Sequence, residues 1–173
     1  MKVFYLFFIL LAFNACKAKV SPNENKLTSM QTDCPEDGYC ETTLQNNKKL
    51  SIKVEESTGY LYPQIEEGEN IVIEFTYNKG EHDGAIVDAS YSETIHFEIS
   101  KDITELSLKN DDLKNVNLIY GKHCFCPDAG YYAVSTGELN ITRKDSNLNF
   151  EFYYEIEGTE TKTRNIVETL KIN

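Results

Sequence analysis

From Leu50 to the C-terminus the chain repeats one pattern, apolar residues at every second position. Leu50, Ile52 and Val54 alternate with Ser51, Lys53 and Glu55. Ile71, Ile73, Phe75 and Tyr77 form a second run, and Ile95, Phe97 and Ile99 a third with Thr94, His96 and Glu98 on its other side. Leu106 and Leu108 make a shorter run, and Val116, Leu118 and Tyr120 lead into a cysteine pair. Leu139 and Ile141 follow, then Leu148, Phe150, Phe152, Tyr154 and Ile156, and finally Ile166, Glu168, Leu170 and Ile172. Period two puts these side chains on one face of a pleated strand, so each run predicts a half-buried strand. Turn signals separate the runs: Asn46-Asn47, Glu67-Gly68, Asn78-Lys79-Gly80, Asp83-Gly84, Asp128-Ala129-Gly130, Asp145-Ser146-Asn147 and Glu157-Gly158. Many short strands at nearly regular spacing predict an all-β fold, an antiparallel sandwich or flattened barrel in a single domain over residues 34–173. The one helical candidate is Ile103 to Leu113, whose apolar residues fit a helix loosely.

The N-terminus has a different pattern. Lys2 precedes an unbroken apolar run from Val3 to Phe13, and Ala15 stands directly before Cys16. A run of that length is too short to span a bilayer core as a stable helix and reads as a secretory signal. A cysteine directly after a small residue at the end of such a run resembles the lipobox of bacterial lipoproteins, although Phe13 and Asn14 stand where that family usually has Leu and a small residue. The resemblance implies removal of residues 1–15 and lipid chains, palmitate among them, on the sulfur and new amino group of Cys16. Residues 16–33 are polar, contain one Pro and lack an apolar period, which suits a flexible tether.

Composition narrows the partners. The formal charge is −11, and loss of Lys2 with the signal makes it −12. An acidic chain with scattered basic residues argues against nucleic acid and against electrostatic adhesion to anionic lipid. Membrane contact is therefore expected through the anchor alone. No acidic cluster follows Cys16 and Lys17 stands next to it, which favours outer-membrane attachment with the domain facing the periplasm.

Four cysteines remain, Cys34, Cys40, Cys124 and Cys126. An even number in an exported domain reads first as two disulfides. A Cys124–Cys126 bond would close a very small ring, so the expectation is that Cys34 and Cys40 both cross to Cys124 and Cys126 and staple the N-terminal segment to the sheet. Four cysteines allow three connectivities. A zinc site of four thiolates, or of three with His123, and reactive thiols are the competing readings. The C-x5-C and C-x-C spacings fit the usual zinc knuckles poorly, and no C-x-x-C is present.

Other chemistry is thin. His82 lies in a loop and His96 is expected on the water-facing side of its strand. No nucleophile elbow, zinc-protease, Walker or dinucleotide motif occurs. Asp33, Glu36 and Asp37 match no calcium loop. No catalytic residue, metal or cofactor is assigned. Tyr60, Tyr62, Tyr131 and Tyr132 are the candidates for a binding surface, against simple packing at strand ends.

One block carries a family likeness. Cys34-Pro-Glu-Asp-Gly-Tyr-Cys40, Gly121-Lys122-His123-Cys124-Phe125-Cys126-Pro127, Gly130-Tyr131-Tyr132-Ala133-Val134 and Gly137-Glu138-Leu139-Asn140-Ile141 resemble segments of small lipoproteins of the Flavobacteria and wider Bacteroidota. The likeness implies lineage and compartment and transfers no catalytic residue. The expected role is a non-enzymatic binding or structural module of the envelope with a protein or glycan ligand. An envelope hydrolase or a protease inhibitor is the alternative.

Overall fold

The computed structural model describes residues 34–80 and 90–172. The signal, Cys16, the tether and His82 therefore lie outside the described residues. Among those described, nine strands form two antiparallel sheets. They are β1 (Gly38–Val54), β2 (Leu61–Lys79), β3 (Ser92–Ile99), β4 (Glu105–Lys109), β5 (Ile119–His123), β6 (Gly130–Ala133), β7 (Thr136–Lys144), β8 (Asn147–Glu155) and β9 (Asn165–Lys171). The first sheet has the order β1-β2-β3-β5-β6 and the second β4-β7-β8-β9. The sheets do not join, so the fold is a sandwich and not a barrel. The stretch read as a possible helix is instead strand β4 followed by a 3-10 helix, Asn110–Val116, which ends at Asn117 in the left-handed conformation with φ 51°.

The alternating apolar residues face one another between the sheets. Ile73, Phe75, Ile95 and Phe97 of the first meet Ile141, Phe150, Phe152 and Leu170 of the second, all but fully buried. Phe97 and Phe150 meet edge to face across the gap with centroids 5.3 Å apart, a favoured aromatic geometry.

The long β1–β2 hairpin departs from the expected layout. Asn46-Asn47 and Glu67-Gly68, which read as two separate turns, lie opposite each other within one ladder. The register slips there, with Lys48 facing both Glu67 and Asn70, and Asn47 takes φ 60°. A β-bulge bends a strand and increases its twist. The chains approach so closely that a Cβ on Gly68 would lie 2.7 Å from Lys49 Cβ and 2.9 Å from its backbone nitrogen. Beyond the kink the hairpin turns across the outer face of the first sheet. Leu50 becomes fully buried, its N–H donates to Glu98 Oε2 at 2.5 Å, and its carbonyl accepts from Asn117 Nδ2 at 3.0 Å. Val72 and Ile119, which point away from the sandwich core, are buried beneath this arm.

That cover corrects the expectation for His96. It does lie on the side of β3 opposite Ile95 and Phe97, yet it is buried with 5% exposure. Alternation places a residue on a face, but not what later covers that face.

Candidate functional site

The chemistry-bearing residues collect where β5 runs out of the sheet, passes through the Cys124–Cys126 loop and returns as β6. Pleating divides them. Lys122 and Tyr132 point into the sandwich, whereas His123 and Tyr131 point to the outer face under the hairpin arm.

On the inner side two buried ionic groups seal one end of the sandwich. Glu93 on β3 and Lys122 on β5 are register partners, at 0% and 6% exposure. The Glu93 carboxylate accepts from Tyr91 Oη at 2.5 Å, the Lys162 N–H at 2.5 Å, the Thr163 N–H at 2.9 Å and Thr163 Oγ1 at 2.7 Å. Lys122 Nζ donates to Asp128 Oδ2 at 2.6 Å, to Thr159 Oγ1 at 3.1 Å and to the Glu160 carbonyl at 3.0 Å. Both therefore grip the connection between β8 and β9, which belongs to the other sheet. A buried charge is tolerable only when it is hydrogen-bonded in this way. The bond to Lys122, then that from Thr159, holds the Asp128 carboxyl below the usual carboxylate range. Tyr91 is pushed well above the ordinary phenol value, by burial first and then by its bond to Glu93.

On the outer face Glu74, Thr94, His96, His123 and Tyr131 form a polar cluster. His96 Nε2 lies 3.5 Å from Glu74 Oε1, and His123 Nε2 lies 3.2 Å from Thr94 Oγ1. The His123 ring meets Tyr131 edge on, with centroids 5.2 Å apart. Gly121 makes room for this, because a Cβ there would lie 2.6 Å from Thr94 Oγ1 and 2.9 Å from His123 Nε2. Burial, and then the nearby His96, depress the His123 pKa, with Glu74 opposing. The bond to His96 lowers Glu74 against the effect of burial.

Both shifts have one consequence for stability. A depressed pKa means the folded protein binds fewer protons than the unfolded chain, so acid favours unfolding. Stability should fall as pH drops below about 6.5, where an unfolded histidine takes up its proton. It should fall further when Glu74 is forced to protonate. Urea midpoints measured from pH 7.5 to 5 should show this slope, and His123→Gln should flatten it. An unchanged slope in that variant would remove His123 from the account.

The cysteines contradict the expected crossed staples. Cys34 pairs with Cys40 and Cys124 with Cys126, at sequence separations of 6 and 2. Cys40 is on the edge strand β1, whereas Cys124 follows β5, three strand positions away. At about 4.8 Å per strand that is roughly 14 Å, twice the Cα separation of about 7 Å a disulfide can bridge. The ring judged too small is the one that forms, with the two Cα atoms 5.3 Å apart. Loops this short constrain the unfolded chain by only about 2 kcal/mol each on the entropy model, less than the about 3–5 kcal/mol of long crossed bridges. Sandwich packing and the Glu93–Lys122 clamp therefore join the two sheets.

The four tyrosines separate into two pairs. Tyr132 packs against the core, and its hydroxyl donates to the Asp128 carbonyl at 2.7 Å, which is the packing role. Tyr131 is half-buried beside His123. Tyr60 and Tyr62 are 73% and 39% exposed at the end of the β1–β2 hairpin, next to the exposed Val54. Phe125, between the two cysteines, is fully exposed and was missed as a surface residue. Glu93 and Lys122 were missed too, although a signal existed: each lies in phase with the buried apolar residues of its own strand.

A shallow depression lined by Glu155, Ile156, Thr159, Thr161 and Arg164 holds about 180 Å³, below the roughly 300–1,000 Å³ of ordinary ligand pockets. No family model matches the chain, and neither curated proteins nor solved structures provide a match.

Proposed function

We propose that this protein is an envelope lipoprotein, held at the outer membrane through lipid on Cys16, whose β-sandwich is a binding module facing the periplasm. The observation that carries the binding role is the end of the β1–β2 hairpin. Tyr60 and Tyr62 expose large apolar side chains on one face, and Val54 on the other, of a two-stranded arm whose base is fixed to the sheet through Leu50, Glu98 and Asn117. Tyrosine suits such a surface because it offers a large apolar area with a polar end and few rotors to immobilise. A rigid arm loses little entropy on binding. The buried ionic groups support the same reading, since Glu93 and Lys122 spend their hydrogen bonds on holding the β8–β9 connection. The ligand is a protein or glycan of the envelope.

The test is crosslinking in intact cells from a photoreactive side chain at position 62. A discrete adduct should form, and a further Tyr60→Ser change should reduce it at least fivefold without moving the melting temperature. Equal labelling from position 153, on the second sheet, would show that the hairpin end is not a specific surface. Protease shaving of intact cells tests the membrane face. Digestion of the domain while periplasmic markers survive would mean that it faces outward.

A further inference from the structure

Between β5 and β6 the chain reads Cys124-Phe125-Cys126-Pro127-Asp128, and the sulfurs of both cysteines and a carboxylate oxygen of Asp128 lie within 4.8 Å of one another. We propose that this loop is a redox-gated metal site: an oxidised Cys124–Cys126 disulfide that, once reduced, binds one zinc ion through both thiolates and Asp128.

The loop is built for access. Phe125 is fully exposed between two half-exposed cysteines, and Pro127 and Ala129 are also exposed. The other disulfide is equally half-buried but differs in its surroundings, since Cys34 and Cys40 both pack against the hydrophobic core. A bridge on an exposed loop, not packed against the core, is the one that external thiols reach and exchange with first. The cysteines are separated by one residue, so opening the bond releases a very small ring and disturbs no contact between the sheets.

The reduced state has the chemistry of a soft-metal site. Two thiolates and a carboxylate are ordinary zinc ligands, and zinc prefers four ligands in a tetrahedron. At Zn–S distances of about 2.3 Å the two sulfurs need to stand roughly 3.8 Å apart, a short opening of an exposed loop. Asp128 is already placed beside them, its carboxylate oriented by bonds from Lys122 and Thr159. Its main-chain carbonyl is held by Tyr132 Oη, which fixes the residue from the other side. Water completes the coordination.

The exchange balances with a dithiol as the reductant. Its two thiols attack the Cys124–Cys126 bond in turn through a mixed disulfide, leaving two cysteine thiols and an oxidised dithiol. Zinc then displaces the two thiol protons. In the reverse exchange the oxidised dithiol takes up two electrons and two protons as the Cys124–Cys126 bond re-forms and the ion leaves, so the ratio of dithiol to its disulfide controls occupancy.

Wild-type protein is titrated with dithiothreitol, trapped by alkylation and mapped by peptide mass spectrometry. Cys124 and Cys126 should be labelled at reductant levels that leave Cys34–Cys40 intact. If Cys34 and Cys40 open first, or all four open together, the gating is wrong. The partly reduced protein, freed of reductant and given zinc chloride, should bind one ion by native mass spectrometry. Asp128→Asn should weaken that binding at least tenfold, and Cys124→Ser/Cys126→Ser should abolish it. No bound zinc in the wild type, or undiminished binding in the double variant, would overturn the site. Unchanged affinity in Asp128→Asn would remove Asp128 from it.

Discussion

Glu93→Ala should cost about 4 kcal/mol of unfolding free energy, a large share of the about 5–15 kcal/mol that holds an ordinary domain. One carboxylate at 0% exposure receives two backbone N–H groups and two hydroxyls from Tyr91, Lys162 and Thr163. Alanine leaves those donors without an acceptor, the two of Thr163 fully buried and those of Tyr91 and Lys162 partly so, and each buried one costs about 1–3 kcal/mol, not fully additively. It also frees the β8–β9 connection from the first sheet. Glu93→Gln keeps one acceptor oxygen and should lose less than half as much. Urea unfolding measures both. Hydrogen exchange should show the Lys162 and Thr163 amides losing protection in Glu93→Ala even under native conditions. A loss below about 1 kcal/mol would mean that the clamp does not hold the two sheets together.

The second large effect concerns location. Cys16→Ala should change the protein from wholly membrane-bound to soluble, because the anchor is the expected membrane contact of a chain with formal charge −11. Two or more acyl chains give stable attachment at about 0.8 kcal/mol per buried methylene, whereas an acidic surface gains nothing from anionic headgroups. Among the described residues no helix is long and apolar enough to cross a membrane. Fractionation with carbonate or high-salt washes should leave the wild type in the pellet and release the variant. A variant that stays in the pellet would point to a different means of attachment.

The strands were legible in the sequence because each has one face in the core and one turned away, which imposes period two. Ile71 to Tyr77, Ile95 to Ile99 and Leu148 to Tyr154 lie where the alternation put them. The kinked hairpin was not legible. Asn46-Asn47 and Glu67-Gly68 each carry turn chemistry, and only their meeting across one ladder shows that they bend a continuous pair of strands. Burial of His96 depends on that bend, so it was hidden as well. Strand β6 is four residues long and follows a loop of Cys, Pro and Asp, too short for a period to show.

The site was only half legible for a related reason. Cys124, Cys126, Tyr60 and Tyr62 stand out by residue type, whereas Glu93 and Lys122 look like surface charges until their phase within the strand is followed. Cysteine pairing depended on strand order, which local pattern does not encode. β5 lies beside β3 and not beside β1, and that alone forbids the crossed bridges.

Every functional statement about the envelope rests on Cys16 being the lipidated first residue of the mature protein. Peptide mass spectrometry of protein extracted from native membranes tests this most directly. The account predicts an N-terminal peptide that begins at Cys16 and carries the mass of its acyl chains. A mature protein that begins at any other residue, or an unmodified Cys16, would contradict it.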